Sequence, residues 1–485
     1  MNTVYHLGSE KHPFIDWELV EAGYGLTWGP EYGGPARPTS WELPVGVQLT
    51  VHEPLRIDRR PLVWCDRPWE SQIVSYSTLL QDEGVYRLFY ECKYKQRLDQ
   101  RISDSGSMQA YAESADMIAW TKPALGGVSF NGSSENNLLL ARGMTMGRDC
   151  HGATVFKDPS APADQRYKMV HMGWDYKAKW DICGAVSPDG LRWKAVEQPL
   201  VSDYTSDTQN VMAFDPVKAK YVGYFRGWEH GRRRIAYAES ETFANFPTPQ
   251  LVVCADAGDA PTLDMYTNGY HRWPGALHAH LMLSTFYERA SDQTEVHLLV
   301  SRDGVRWQRP SRRPVIPAGQ AGSGVEGGVY AGCGIAETLA GEWAIPLAIS
   351  AHTHNARPFA GGRIPTDVLE RGFICLAYWR KDGFMSLHAP SEGKWTSTPV
   401  TFSGRLLRVN ALTQYGGEIL CELASASGEP IAGFTFEECD PISGDAPDHT
   451  VTWRGQSNVA ALAGQELRLR WRMRRAHLYA LQFTS

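Results

Sequence analysis

A strand–turn–strand unit that recurs five times constrains this chain more than any other feature. Its clearest copy runs from Gly147 to Trp193. The polar cluster Gly147-Arg148-Asp149-Cys150-His151-Gly152 opens it, and the apolar strand Ala153–Phe156 follows. A turn at Lys157-Asp158-Pro159 leads to a second strand, Tyr167–Met172, and then to a third, Ile182–Val186. The unit ends in an Asp-Gly turn, Ser187-Pro188-Asp189-Gly190-Leu191-Arg192-Trp193. This order predicts one four-stranded antiparallel sheet. Related sets occur around Val85–Trp120, Lys220–Ser240, Val296–Trp307 and Trp343–Phe384. Five such units, spaced roughly 60 to 80 residues apart, predict a five-bladed β-propeller.

After Leu387 the pattern changes to alternating strands, densest from Val451 to Phe483, which predicts a small β-sandwich. The expected fold class is therefore all-β, a five-bladed β-propeller followed by a small C-terminal β-sandwich. Residues 1–60 are expected to form an N-terminal arm packing on propeller or sandwich. Residues 61–388 are the expected propeller, and 389–485 the sandwich. No long amphipathic helix is visible.

A net charge of −6 over 485 residues leaves no basic footprint for nucleic acid and no drive toward an anionic membrane. No run approaches the length of apolar residues that spans a bilayer. The start, Met1-Asn2-Thr3-Val4-Tyr5-His6, has neither a basic nor an apolar leader region, so a cytoplasmic location is expected. The nine cysteines fall mostly in apolar strand runs, as small hydrophobes do, and predict a reduced protein. Cys421 and Cys439 are the pair that could join. Tryptophan and tyrosine are spread along the whole length, which serves blade packing and also suits stacking on sugar rings.

The candidate chemistry lies where polar residues precede the innermost strands. Glu70, Asp149 and Asp207 each precede such a strand, in blades one, two and three. One acid per blade aimed at one mouth supplies what glycoside cleavage needs: a proton donor, a base or nucleophile, and a third charge that tunes them. Each also has a plain structural reading: Glu70 as a loop acid pairing Arg67, Asp149 as a turn cap or salt bridge, Asp207 as the start of an Asx turn. Trp69 is the candidate stacking platform. Arg148, His151, Asn210, Arg226, Asp264, Tyr266, Asn268, His271, Glu326 and His352 complete the set expected to contact a sugar, through hydroxyl-bonding groups and, at Arg226, a carboxylate or sulfate partner. His352-x-His354 and His278-x-His280 each place two imidazoles on one strand face. They lack acidic or cysteine partners at diagnostic spacing, so no metal and no cofactor are expected.

The unit order, the Ser-x-Asp-Gly-x-x-Trp turns at Ser187–Trp193 and Ser301–Trp307, and the acids before inner strands resemble the five-bladed propeller glycoside hydrolases of families 32, 43, 68 and 117. The tail looks like the β-sandwich of the family 32 enzymes. Arg148-Asp149-Cys150 approximates that family's Arg-Asp-Pro motif. Its Asn-Asp-Pro-Asn motif is absent, and Asp207 stands where its Glu-Cys motif is missing. The resemblance implies a glycosidase acting on an oligosaccharide or polysaccharide fragment, exo in mode, with Glu70, Asp149 and Asp207 as the acids. The residues leave two other functions open. One is a polysaccharide lyase using His151, Tyr266, His271 and Arg226 on a uronate. The other is a glycan-binding propeller without catalysis.

Overall fold

The structure, a computed structural model, describes residues 4–21, 43–70, 73–93, 106–141, 143–144, 149–174, 180–319, 327–355 and 372–485. Two compact units make up the chain. One comprises Glu53–Arg272 and His280–Arg380, the other Met1–His52, Trp273–Ala279 and Lys381–Ser485. No helix among the described residues is long and apolar enough to cross a membrane.

The larger unit is a five-bladed β-propeller. Blade one consists of Ile73–Asp82, Val85–Lys93, Ser107–Ser114 and Leu138–Leu140. Blade two consists of His151–Lys157, Tyr167–Trp174, Trp180–Ser187 and Lys194–Ala195. Blade three runs Val211–Asp215, Lys220–Glu229, Arg232–Ser240 and Gln250–Val253. In blade four the inner strand is split into Leu263–Met265 and Tyr270–Arg272, both paired with His280–Glu288, which pairs Gln293–Ser301. Blade five carries Gly328–Ala331, Ala336–Glu337, Glu342–Ser350 and Phe373–Arg380. Its outermost strand is Arg56–Trp64, which pairs antiparallel with Phe373–Arg380. The ring therefore closes by a strand that precedes blade one in the chain and straddles the boundary expected at residues 60 and 61.

Blade sheets are covered on both faces, so their central strands read as nearly continuous apolar runs. Within Val85–Lys93, Leu88 and Tyr90 face one layer with Val63, Ile374 and Leu376. Phe89 faces the opposite layer, with Tyr111, Val155 and Met169. This period of two decides later which acid of blade one reaches the mouth.

The Ser-x-Asp-Gly-x-x-Trp turns have a common physical basis. Ser187 Oγ accepts from the amides of Asp189 and Gly190, and Asp189 Oδ1 accepts from those of Leu191 and Arg192. The Trp193 indole then donates to the Gly190 carbonyl at 2.9 Å. Ser301, Asp303, Gly304 and Trp307 repeat this pattern. A third copy, Ser114 to Trp120, has Met117 at φ +62° where the others have glycine. Such turns end the third strand of blades one, two and four.

The smaller unit is one hydrogen-bonded sheet of eight strands. Its longest strands, Leu406–Ser425 and Leu467–Thr484, pair antiparallel with register shifts at Asn410/Ala411 and Thr413/Glu418. Such irregularities bend long strands. The core they enclose includes Trp395, Trp453, Trp471, Phe402 and Phe483. Residues Tyr5–Gly8, Lys11–Pro13 and Gln48–Val51 add strands to this sheet. Asp382 anchors the inserted segment, accepting from the Trp273 indole at 2.9 Å and from Lys11 Nζ at 3.2 Å. All nine cysteines are free thiols; Cys439 Sγ accepts from the Cys421 amide at 3.3 Å.

Candidate active site

The charged groups of the propeller gather where inner strands begin and second strands end. Glu91 and Lys93 lie at the end of the second strand of blade one, on the face that Phe89 shares. Glu91 is fully buried, and four groups surround its carboxylate. His151 Nδ1 lies 2.9 Å away, the Gly152 amide 2.6 Å, Ser107 Oγ 3.0 Å and Lys93 Nζ 3.5 Å. Burial alone would raise this carboxyl; the charges of His151 and Lys93 and the Gly152 amide bring it down to about 2.

His151 joins two carboxylates. Its Nε2 meets Asp207 Oδ1 at 3.0 Å while Nδ1 meets Glu91. Burial pulls the imidazole down, but the two acids push it up to about 9, so it is an imidazolium at neutral pH. Asp207 is 58% exposed and therefore open to a ligand. Its recessed seat disfavours ionisation, yet His151, Arg226 and Lys93 hold it well below the ordinary carboxylate range. Asp149 moves the other way. Burial and the Glu91 charge raise it, against the amides of Ser107 (2.8 Å) and Cys150 (3.0 Å), which donate to its Oδ1. Two carboxyls that both interact with His151 are thus displaced in opposite directions.

Gly152 brings the two halves of the cluster together. It sits at φ +63°, and a β-carbon there would overlap the Thr208 carbonyl. The same close approach lets the Asn210 amide donate to the Gly152 carbonyl at 2.8 Å. Tyr76 enters from the bulge between Ser75 and Thr78, at φ +37°, and sets its ring edge-on to His151 at 5.4 Å. Tyr266 lies against the Arg226 guanidinium at 4.6 Å and the Arg233 guanidinium at 5.2 Å. His354 meets the Tyr266 ring edge at 4.7 Å and the Tyr330 hydroxyl at 2.9 Å.

Several residues expected at the mouth lie elsewhere. Glu70 is fully buried on the other face of blade one, where it accepts from Lys122 Nζ at 2.7 Å and the Tyr90 hydroxyl at 2.5 Å. Burial raises its carboxyl despite Lys122. Trp69 belongs to the layer between blades: its indole donates to Asn137 at 2.8 Å and its ring packs edge-on to Phe130. Asn210, Asn268 and His271 are buried in the axial packing of the ring rather than lining its mouth. Asn268 donates to the carbonyls of Gln209 and Tyr224, and His271 Nδ1 accepts from the Gly334 amide at 3.2 Å. Arg226 is 1% exposed, so it supports Asp207 (3.7 Å) and the Tyr266 carbonyl (3.1 Å) without reaching a ligand. Asp264 is enclosed between Arg233 at 2.7 Å and Arg289 at 2.8 Å. His352 is half-buried at the end of the second strand of blade five, its amide donating to Ser350 Oγ. Arg148 and Glu326 lie outside the described residues.

Glu91, Lys93, Tyr76 and Arg233 were not anticipated. The signal for the first two was present, an acid and a base two residues apart at the end of an apolar strand. Among the described residues no group of three His, Cys, Asp or Glu side chains is gathered as a metal would require.

No family model and no curated protein matches the sequence. Among solved structures the chain is similar to one described as a glycoside hydrolase, at 11% identity over 66% of this chain and 92% of that one, with a TM-score of 0.47. It is similar to a structure from work on family 130 mannoside phosphorylases, described as containing glycoside hydrolases that target β-1,2 mannosidic linkages in Candida mannan. There the identity is 12% over 68% of this chain and 94% of that one, with a TM-score of 0.43. It is also similar to a family 43 arabinoxylan arabinofuranohydrolase from Bacillus subtilis in complex with cellotetraose, at 11% over 88% and 99%, with a TM-score of 0.41. These are likenesses of architecture; what the chain does rests on its own side chains.

Proposed function

We propose that the protein is a glycoside hydrolase that cleaves an oligosaccharide at the propeller mouth, with Asp149 as proton donor and Asp207 as base or nucleophile. The observation that carries this reading is geometric: Asp207, 58% exposed, is held at 3.0 Å by His151 Nε2, and Asp149, two residues before His151, has its Oδ1 fixed by the Ser107 and Cys150 amides. Burial and the Glu91 charge raise the Asp149 carboxyl, while His151 and Arg226 lower Asp207 against its desolvation. A carboxyl whose proton is held more tightly than usual can protonate a leaving oxygen, while an exposed carboxylate of the same cluster attacks the anomeric carbon or activates water. Glu91 touches no substrate. It holds His151 charged and oriented, and His151 in turn holds Asp207.

The same geometry opposes a lyase. Both ring nitrogens of His151 are engaged by carboxylates, His271 is buried in the axial packing, and Arg226 has no surface to offer a uronate.

The test is turnover by Asp149→Asn and Asp207→Asn on a broad panel of oligosaccharides, followed by reducing-end release, product length and ultraviolet absorbance. Each variant should lose about 10²- to 10⁴-fold with the fold retained, the range a positioned acid or base contributes. Product length distinguishes release from a chain end from internal cleavage. Wild-type rates in both variants, or an unsaturated product, would refute the reading. Binding without turnover by the wild-type protein would favour the glycan-binding alternative.

A further inference from the structure

Trp228 closes the second strand of blade three, two residues beyond Arg226, so both side chains lie on the same strand face. Arg226 is the residue that supports Asp207, so the indole and the proposed base share one guanidinium as a neighbour. Its register partner is Arg233 on the next strand. The guanidinium carbons of Arg226 and Arg233 lie 6.0 and 5.6 Å from its ring centroid. Two cations beside the indole each contribute about 0.5–1 kcal/mol toward holding it where it is. The ring is nevertheless 49% exposed. The other tryptophans of the propeller unit are buried or half-buried among the described residues. In this unit an indole is ordinarily spent on packing between blades, as Trp69, Trp180 and Trp307 are; this one is uncovered beside Arg226 of the charged cluster.

We infer that Trp228 is the stacking platform for a sugar ring adjoining the bond that is cleaved, a subsite that takes a neutral pyranose or furanose by its apolar face. The inference rests on the hydrolase reading for the word "cleaved", while the binding it describes stands apart from turnover. A flat, preorganised indole loses little entropy when a ring lies on it, and a C–H-rich sugar face meets the electron-rich π surface that the guanidiniums also seek. A hydroxyl partner for the same ring is within the cluster at Asp207, which is exposed and shares Arg226 with the indole. Trp69, which would have served the same purpose from blade one, is spent on the layer between blades.

The experiment compares wild type, Trp228→Phe and Trp228→Ala on ladders of two to six residues of β-1,4-xylo-, α-1,5-arabino-, β-1,2-manno- and β-2,1-fructo-oligosaccharides, and on the matching aryl monoglycosides. Trp228→Ala should lose about 10- to 100-fold in kcat/KM on the oligosaccharides, mostly through KM, and less than about threefold on the aryl glycoside, with Trp228→Phe between. Equal losses on both substrates, or no loss on either, would overturn the platform. Calorimetric titration with the six-residue ladders separates this from the hydrolase reading. If the wild type turns nothing over, the platform still predicts that Trp228→Ala weakens binding of a retained oligosaccharide by a similar factor. Unchanged affinity, or no oligosaccharide retained by the wild type, would overturn it.

Discussion

Replacing Glu91 by glutamine keeps the side chain's shape and removes what it does. One carboxylate oxygen accepts from His151 Nδ1 and Ser107 Oγ, and the other accepts from the Gly152 amide. A glutamine has one acceptor oxygen. Whichever way its amide turns, an N–H of the protein faces an NH₂ group in a site with no solvent to relieve it. An unmatched buried donor costs about 1–3 kcal/mol. The loss of the negative charge is a second cost, because His151 and Lys93 remain. Breaking a buried ion pair by removing one partner costs about 3–5 kcal/mol in all. The pKa displacement points to the same scale: a carboxyl held at about 2 instead of 4.5 corresponds to roughly 3 kcal/mol. The pH dependence has a definite sign. A depressed carboxyl stabilises above its unfolded value and loses that contribution as pH falls through about 2. A raised imidazole stabilises below 6.5 and loses its contribution as pH rises through about 9. The pair therefore contributes fully between about pH 4.5 and 6.5. In Glu91→Gln, burial and Lys93 act on His151 with only Asp207 to oppose them, so the imidazole should fall from about 9 toward or below 6.5. Asp207 then keeps only Arg226 and Lys93 as cationic support near neutrality, and kcat/KM should begin to fall at the lower pH where His151 now loses its proton. Proton titration of the histidine resonances, with His151→Gln for assignment, reads the first shift; kcat/KM against pH reads the second. If His151 still ionises near pH 9 in Glu91→Gln, the carboxylate is not what charges it, and the chain of support from Glu91 to Asp207 is refuted.

Glu70→Gln should have the reverse profile. Activity should stay within about twofold, while denaturant unfolding shows a loss of about 3 kcal/mol, the low end for a broken buried pair because Lys122 keeps Asp66 at 2.5 Å; a large drop in turnover would return Glu70 to the catalytic set. Gly152→Ala should cost both stability and activity. An alanine at φ +63° carries about 1–2 kcal/mol of strain, and its β-carbon would push the Thr208 carbonyl, and Asp207 with it, away from His151. Unchanged kcat/KM in that variant would show that the Gly152–Thr208 contact does not position Asp207.

The propeller was legible because its repeat is local. Strand, turn and Ser-x-Asp-Gly-x-x-Trp closure are all written within one blade, and each closure is made by hydrogen bonds between residues at most three apart. The ring closure was not, since Arg56–Trp64 pairs with Phe373–Arg380 more than 300 residues away and carries no mark of its partner. The site divides along the same line. Asp149 and Asp207 precede inner strands and His151 opens one, and a local rule locates them. Glu70 satisfies the same rule and is spent on Lys122, 52 residues away on the other face of the blade. Tyr90 and Glu91 differ by one position, and the period of two sends one toward Glu70 and the other toward His151. A charged residue ending an apolar strand reads as a solvated end unless the neighbouring blade is known. Asn210, Asn268 and His271 mislead for a further reason. The inner strands of a propeller face one another with unpaired edges, and their backbone groups need partners that another strand cannot provide. Gln209, whose side chain donates to the Ser77 and Ala153 carbonyls, and Asn268, which donates to the Gln209 carbonyl, meet that need. Polar residues beside an inner strand therefore serve two ends, closing the axis and furnishing the mouth. Exposure separates them here: Asp207 is open, while Gln209 and Asn210 just beyond it are shut in.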